Sequence, residues 1–209
     1  MRHLLRTIRT LTVLAVRLLI VTVGITLQTA ILLGWLGLAA WVVFTQGWWM
    51  RALPGEDIAS LDVLHPELRP RVDRIVEELT AQGWEVRVAS AWRSPQRQDA
   101  IFAIGQLGER LGQSPWSRVR GGHSCHNQLQ ADGSPGSAAV DLAPRGLDVL
   151  EDRAAFYQAL GRAASDEGLR WGGGFRHSNP VWARFDMGWD PAHIEDQGLC
   201  RRLRAGRNS

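Results

Sequence analysis

The stretch GGHSCHNQLQADGSPGSAAVDLAP, residues 121–144, combines two histidines, a cysteine and two aspartates with glycine, serine and proline. It is part of a segment, residues 112–137, whose turn-forming residues predict a long loop. The following AAVDLA predicts a short buried strand. Because a long loop inside a compact domain usually has a function, His126 and Asp141 are the first candidates for a metal site.

Helices and strands are predicted on both sides of this stretch. Apolar spacing predicts a helix in residues 67–83, and alternation predicts a strand in residues 84–92 with one buried face. Ser94-Pro95 is a helix start signal. Residues 151–168 predict another helix, and residues 168–175 an extended segment. This order lacks a regular strand and helix alternation, which indicates an α+β fold with a mainly antiparallel sheet.

The composition changes sharply near residue 51. Residues 18–44, LLIVTVGITLQTAILLGWLGLAAWVVF, contain 27 residues without a charge, enough for a helix to span a bilayer. A buried core helix and a signal peptide cleaved near residues 37–39 are the alternatives. The predicted organisation is a cytoplasmic basic N-terminus (1–17), a transmembrane anchor (18–47), a linker (48–65), a folded domain (66–200) and a basic tail (201–209).

The arginines around the apolar segment predict its orientation. Arg2, Arg6, Arg9 and Arg17 precede it, whereas Arg51 alone follows it closely. Positive charge collects on the cytoplasmic side of a membrane. We therefore predict an N-terminus in the cytoplasm and a folded domain in the periplasm or outside the cell.

The charge of the chain does not indicate nucleic-acid binding. The isoelectric point is about 9.6, but five of the 24 basic residues lie in residues 1–51, which contain no acidic residue. The rest of the chain is slightly acidic, apart from the arginine-rich tail. We therefore expect no nucleic-acid partner, and we interpret the tail as a solvated terminus.

Catalysis by zinc in hydrolases needs three protein ligands, one open position for water and a nearby carboxylate. His126, Asp141 and His193 are candidate ligands, and Asp190 is the candidate carboxylate. Each residue taken alone has a structural alternative, such as a helix cap for Asp190 or a satisfied buried carboxylate for Asp141. Asp132 is a rival third ligand, but it lacks the apolar strand context of Asp141.

Taken together, these motifs resemble the zinc-site motifs of the peptidoglycan metallopeptidases. That family includes D-alanyl-D-alanine carboxypeptidases and dipeptidases and the endolysin-like L-alanyl-D-glutamate endopeptidases of phages. The likeness extends over about residues 66–196, although the loop between His126 and Asp141 is longer here. The matching stretches are Ser124-Cys125-His126-Asn127, Ala139-Val140-Asp141, Asp190-x-x-His193, SAWRSPQRQDAIFAIGQ (90–106) and GLRWGG (168–173).

The resemblance implies a fold and a set of roles. The fold is the α+β D-Ala-D-Ala peptidase/Hedgehog-like fold, a small antiparallel sheet flanked by helices, here preceded by an N-terminal transmembrane helix. One zinc ion per chain is held by His126, Asp141 and His193. Asp190 acts as the general base and Arg93 stabilises the oxyanion. Three further residues contact substrate or support the ligands: Ser124, Gln98 and Glu195.

The resemblance also implies a substrate, the stem peptide of peptidoglycan. Asp190-x-x-His193 is typical of the L-alanyl-D-glutamate endopeptidases, whereas carboxypeptidases and dipeptidases tend to carry Glu-x-x-His. We therefore predict a single-pass zinc peptidase of the bacterial cytoplasmic membrane, with residues 18–44 in the lipid bilayer. A D-Ala-D-Ala carboxypeptidase and a non-catalytic wall-binding or partner-binding module are the alternatives. A disulfide between Cys125 and Cys200 that braces the site is a further hypothesis.

Overall fold

The computed structural model describes residues 25–26, 28–38, 52–110, 117–175 and 180–206. It divides the chain into two compact units, Met1–Ala52 and Leu53–Ser209. In the first unit, residues 25–26 and 28–38 are helical, whereas the predicted cytoplasmic segment and the rest of the predicted anchor lie outside the described residues. Within the described part of the chain, no helix is both long enough and apolar enough to span a bilayer.

The second unit contains two antiparallel sheets. A two-stranded sheet pairs β1 with β3, and a four-stranded sheet has the order β2-β4-β6-β5. All of these pairings are antiparallel, which confirms the predicted α+β class with a mainly antiparallel sheet. The strands are β1 (Asp57–Ile58), β2 (Val86–Ser90), β3 (Trp92–Arg93), β4 (Ala139–Pro144), β5 (Arg170–Trp171) and β6 (His193–Glu195).

Helices surround the sheets. They are α1 (Arg69–Ala81), α2 (Pro95–Arg110), α3 (Leu150–Asp166), α4 (Pro180–Ala183) and α5 (Gln197–Gly206). The start signal of α2 acts as predicted, because the Ser94 hydroxyl accepts a hydrogen bond of 3.2 Å from the Arg97 backbone N–H. Just beyond the end of α1, Gly83 has a φ of +89°, a conformation that favours glycine.

The apolar core lies on one side of β4. Side chains alternate along a strand, so Val140 and Leu142 face this core while Asp141 between them points to the opposite face. The candidate site is built on that opposite face. The core side chains from the flanking helices include Val72, Ile75 and Leu79 of α1 and Phe156 and Leu160 of α3.

Two segments differ from the sequence-based interpretation. Within the predicted linker, Asp57–Ile58 pairs with Trp92–Arg93, and Leu64 is buried in the core. Within the predicted tail, α5 continues to Gly206. These segments fold because each supplies apolar contacts, Leu64 for the first and Leu203 for the second. The folded unit therefore begins before residue 66 and extends beyond residue 200.

Candidate functional site

The sheet register places two candidate ligands side by side. Asp141 in β4 lies opposite His193 in β6, and Ser90 of β2 lies on its other side. Opposite residues of an antiparallel pair project from the same face and are close neighbours. Two candidate ligands that are 52 positions apart in sequence are therefore brought into contact by strand pairing alone.

The third candidate ligand comes from the loop before β4. His126 lies in a short 3-10 turn, Cys125–Asn127, which begins at Ser124, whose hydroxyl accepts from the His126 N–H at 3.3 Å. The Asn127 amide donates to the carbonyl of Arg93 at 2.7 Å, so this turn is attached to β3. The loop thus presents His126 to the strands as a fixed group and not as a mobile one.

Three potential ligand atoms form a nearly regular triangle. His126 Nε2 lies 3.1 Å from His193 Nδ1, and these two nitrogens lie 3.2 and 3.0 Å from the same Asp141 oxygen, Oδ1. Zinc binds imidazole nitrogen at about 2.0–2.1 Å in tetrahedral geometry, which separates neighbouring ligand atoms by about 3.3 Å. The cluster therefore has the dimensions of three corners of a zinc site, and all three residues are buried.

The outer nitrogen of each imidazole is also engaged. His126 Nδ1 donates to the Ala91 carbonyl at 2.6 Å, and His193 Nε2 donates to Glu195 Oε2 at 3.3 Å. A carbonyl only accepts hydrogen bonds, so His126 carries its proton on Nδ1 and turns the Nε2 lone pair toward the triangle. Such outer hydrogen bonds are typical of metal-binding histidines.

Without a cation, the triangle holds a proton. Burial alone would raise the pKa of Asp141, but the charge of Arg93 and the hydrogen bond from His193 help to hold it well below its usual range. Burial opposes the charged form of His193, yet hydrogen bonds to Asp141 and Glu195 raise its pKa to about 10. Burial lowers the pKa of His126, which stays neutral. A charged His193 thus balances the carboxylates when no metal is bound.

This proton makes metal binding pH-dependent. Zinc must displace it from His193, whose pKa of about 10 keeps the imidazole charged at neutral pH. We expect the apparent zinc affinity to rise about tenfold per pH unit between about pH 7 and 9. Competition with a chelator at several pH values measures this slope, and calorimetry in two buffers measures the released proton. A pH-independent affinity over this range would contradict the raised pKa of His193.

Asp190 is placed beside the ligands by a turn. The His193 backbone N–H donates to the Asp190 carbonyl at 3.2 Å. Gly172 packs against this turn so closely that a Cβ there would lie 2.2 Å from the Asp190 carbonyl oxygen, which explains the glycine. Burial, together with the charge of Asp141, raises the pKa of Asp190 to about 6. A carboxyl with such a pKa exchanges protons near neutral pH.

Arg93 contacts a candidate ligand directly. Its guanidinium donates to Asp141 Oδ2, the carboxylate oxygen outside the triangle. Its Nε donates to the Ser90 hydroxyl at 2.8 Å, and that hydroxyl donates to Asp57 at 2.6 Å. Sequence reasoning missed Asp57 because it lies in the predicted linker. The structure thus ties β1 to the candidate metal site through a chain of hydrogen bonds.

The remaining predicted site residues have distinct positions. Glu195 bridges His193 and Arg170, whose Nη1 donates to Glu195 Oε1 at 3.0 Å. The Gln98 amide donates to Ser117 at 2.7 Å, and its buried Oε1 has no hydrogen-bond partner among the residues that the structure describes. Asp132, the rival ligand, is exposed on a turn and accepts from Ser134, so it does not join the cluster.

A cavity of about 580 Å³ opens onto the triangle. Its lining includes His126 and His193 of the triangle, together with Asp190 and Arg93, so the predicted catalytic groups face one space. Ser124 and Gln98 also line it. A peptide segment of a few residues fits a volume of this size.

A disulfide joins this site to the last helix. Cys125 and Cys200 are bonded, with their Cα atoms 5.3 Å apart. Cys125 immediately precedes His126, and Cys200 lies in α5. The bond that was a hypothesis from the sequence is therefore present in the structure, and it fixes the turn of His126 against α5.

Removal of this disulfide is expected to destabilise the folded unit. Its cysteines are 75 positions apart, and the loop-entropy relation for that length gives about 4 kcal/mol. We expect the double variant Cys125→Ser, Cys200→Ser to lose about that much free energy of unfolding, measured by urea denaturation of the full chain in detergent. A reductant should lower the free energy of unfolding of the wild type but not that of the variant. Equal stability of the two proteins without reductant would contradict the prediction.

Comparisons with known proteins give a limited result. No protein-family model and no curated protein matches this chain. One similar solved structure is the LdcB LD-carboxypeptidase, with a TM-score of 0.42 and 17% identity over 69% of this chain and 64% of that one. Another is VanYB in complex with D-alanine-D-alanine, with a TM-score of 0.38 and 15% identity over 69% of this chain and 78% of that one. The chain thus spans less than two thirds of the first structure, and at these values the likeness identifies no activity.

Proposed function

We propose that this chain is a zinc-dependent peptidase that hydrolyses peptidoglycan stem peptides, at the bond between L-alanine and D-glutamate. One observation carries the proposal. His126 Nε2, His193 Nδ1 and Asp141 Oδ1 converge within 3.2 Å of one another, while hydrogen bonds on the far side of both rings fix their orientation. The motif resemblance supports the substrate class.

The donor set fits zinc in its catalytic form. Two imidazoles and one carboxylate are ligands that zinc accepts, and structural zinc sites normally have four protein ligands. The cluster in the described part of the chain has three, which leaves one position for water or substrate. Zinc held there would act as a Lewis acid, which polarises a carbonyl group and lowers the pKa of a bound water molecule.

Asp190 is the proposed general base. It lines the same cavity as the two histidines, and its pKa of about 6 leaves it ionised at neutral pH. It can take a proton from water and later deliver that proton to the amine of the leaving residue. Because burial raises this pKa close to neutral pH, the carboxyl group can both accept and release a proton.

The other residues orient these groups. Glu195 holds the His193 ring through Nε2, and Arg93 holds the outer oxygen of Asp141. Since Arg93 also lines the cavity, a substrate oxyanion could share its planar guanidinium. Ser124 begins the turn of His126, and Gln98 lines the cavity, with an Oε1 that accepts no hydrogen bond from the described residues.

The location of the enzyme is part of the proposal. Residues 18–44 would cross the bacterial cytoplasmic membrane once, with the N-terminus inside and the catalytic domain outside. The arginine distribution and the uncharged length support this arrangement. Such an enzyme would act on wall close to the membrane.

Mass spectrometry of digested muropeptides tests the function. The full chain in detergent is incubated with purified muropeptides, with and without a chelator, and then with zinc restored. We expect cleavage between L-alanine and D-glutamate that stops on chelation and returns with zinc. Loss of a terminal D-alanine would instead favour the carboxypeptidase alternative, and absence of any cleavage in the zinc-loaded protein would favour a non-catalytic binding module.

A further inference from the structure

We propose that Arg204 determines specificity by binding a free carboxylate on the residue that follows the scissile bond. This inference rests on the proposed peptidase function and adds a charge requirement to its substrate. Arg204 lies in the part of α5 that belongs to the predicted solvated tail, residues 201–209, and it lines the candidate cavity. Nothing in the zinc cluster requires an arginine at this position.

Arg204 differs from the other arginines of the cavity lining in having no carboxylate partner in the described chain. Four arginines line the cavity, and each of the other three contacts a carboxylate. These pairs are Arg93 with Asp141, Arg118 with Glu109 at 3.3 Å, and Arg170 with Glu195 at 3.0 Å. Among the residues that the structure describes, Arg204 has no carboxylate partner. The cavity lining therefore includes one arginine that forms no ion pair with the described residues.

Arg204 is nevertheless held in place. Its Nη1 donates to the His123 carbonyl at 3.1 Å and its Nε to the Cys200 carbonyl at 3.4 Å. A guanidinium has five N–H donors in a fixed plane, so donors remain for a ligand. A half-buried, oriented arginine binds a carboxylate at a smaller entropic cost than a freely moving one.

The covalent structure fixes Arg204 relative to the candidate ligands. Arg204 lies one helical turn beyond Cys200, which is bonded to Cys125, the residue just before His126. The disulfide therefore holds the helix that carries Arg204 against the turn that carries His126.

A second residue of the cavity lining has an unsatisfied polar atom in the described chain. Gln98 is 1% exposed, yet its Oε1 accepts no hydrogen bond within the described chain. A buried acceptor without a donor costs free energy until a ligand satisfies it.

The test compares two peptides and two variants of the full chain. The peptides contain the L-alanyl-D-glutamate bond, with the α-carboxyl of D-glutamate either free or converted to an amide. Arg204→Gln should raise the KM for the free carboxylate roughly tenfold or more and leave the KM for the amide unchanged. Arg201→Gln is the matched control, because Arg201 is exposed on the same helix and does not line the cavity. Arg204→Lys should restore part of the preference.

The outcomes separate this inference from the proposed function. Equal KM values of Arg204→Gln and wild type for both peptides would overturn it, and so would an equal loss on both peptides, which would assign Arg204 to folding. If the wild type cleaves neither peptide, the peptidase proposal fails. Binding of the free and amidated peptides, measured by calorimetry, then still tests Arg204 by the same comparison.

Discussion

Asp190→Asn is expected to lower the turnover of stem peptide by about 10²- to 10⁴-fold, the contribution typical of a general base. The amide has nearly the same shape as the carboxylate but cannot take a proton from water. Because Asp190 is outside the three-atom cluster, zinc content should stay near one per chain. Turnover by mass spectrometry and zinc content by elemental analysis, on the same preparation, measure both quantities.

Asp186→Asn provides the matched control for this substitution. Asp186 is exposed and has a φ of +56°, a conformation that asparagine adopts readily, and it does not line the candidate cavity. We expect wild-type turnover from it. If Asp190→Asn kept turnover within a few fold of wild type, another group would have to move the proton and the assigned role of Asp190 would be wrong.

His126→Ala is expected to abolish zinc binding and turnover together. Removal of a group that only supports a ligand typically costs 10- to 100-fold in metal affinity, so loss of a ligand should cost more than about 100-fold. Zinc should raise the melting temperature of the wild type, because it binds the folded state, but not that of the variant. Thermal melts with and without added zinc measure this difference.

His65→Ala is the control for the ligand variant. It removes an imidazole that lies outside the cluster, and its Nδ1 accepts a hydrogen bond from the Glu67 N–H just before α1. Its zinc content should match wild type. A His126→Ala protein that still held one zinc ion per chain at wild-type affinity would show that the metal binds elsewhere, and the proposed site would be abandoned.

Local signals predicted three of the four strands of the main sheet but not β6, and the grouping of His193 with Asp141 came from the family resemblance. The run AAVDLA is apolar around one acid, and the turn-rich loop before it indicated where the strand begins. Side chains alternate between the two faces of a strand. Asp141 and His193 are neighbours because their strands pair antiparallel with these two residues opposite each other. The metal, the roles of these residues and the bond cleaved remain predictions.

The contacts that the sequence did not predict join distant segments. β1 has only two residues, Asp57–Ile58, too few to show an alternating pattern. It forms by backbone pairing with Trp92 and Arg93 of β3. The pairing of Arg93 with Asp141 spans 48 positions, and neither residue type specifies the other. Interactions of this kind depend on the assembled fold and leave no local pattern.

The bond between Cys125 and Cys200 has a consequence for biogenesis. Since one cysteine adjoins His126, the reducing cytosol would hold a chain whose metal-binding loop is not yet secured. Oxidation of the two thiols after the proposed export would then secure this loop outside the cytoplasm, next to the peptidoglycan. Recombinant production in an oxidising host or by refolding with a redox couple should accordingly yield more active protein than ordinary cytosolic expression.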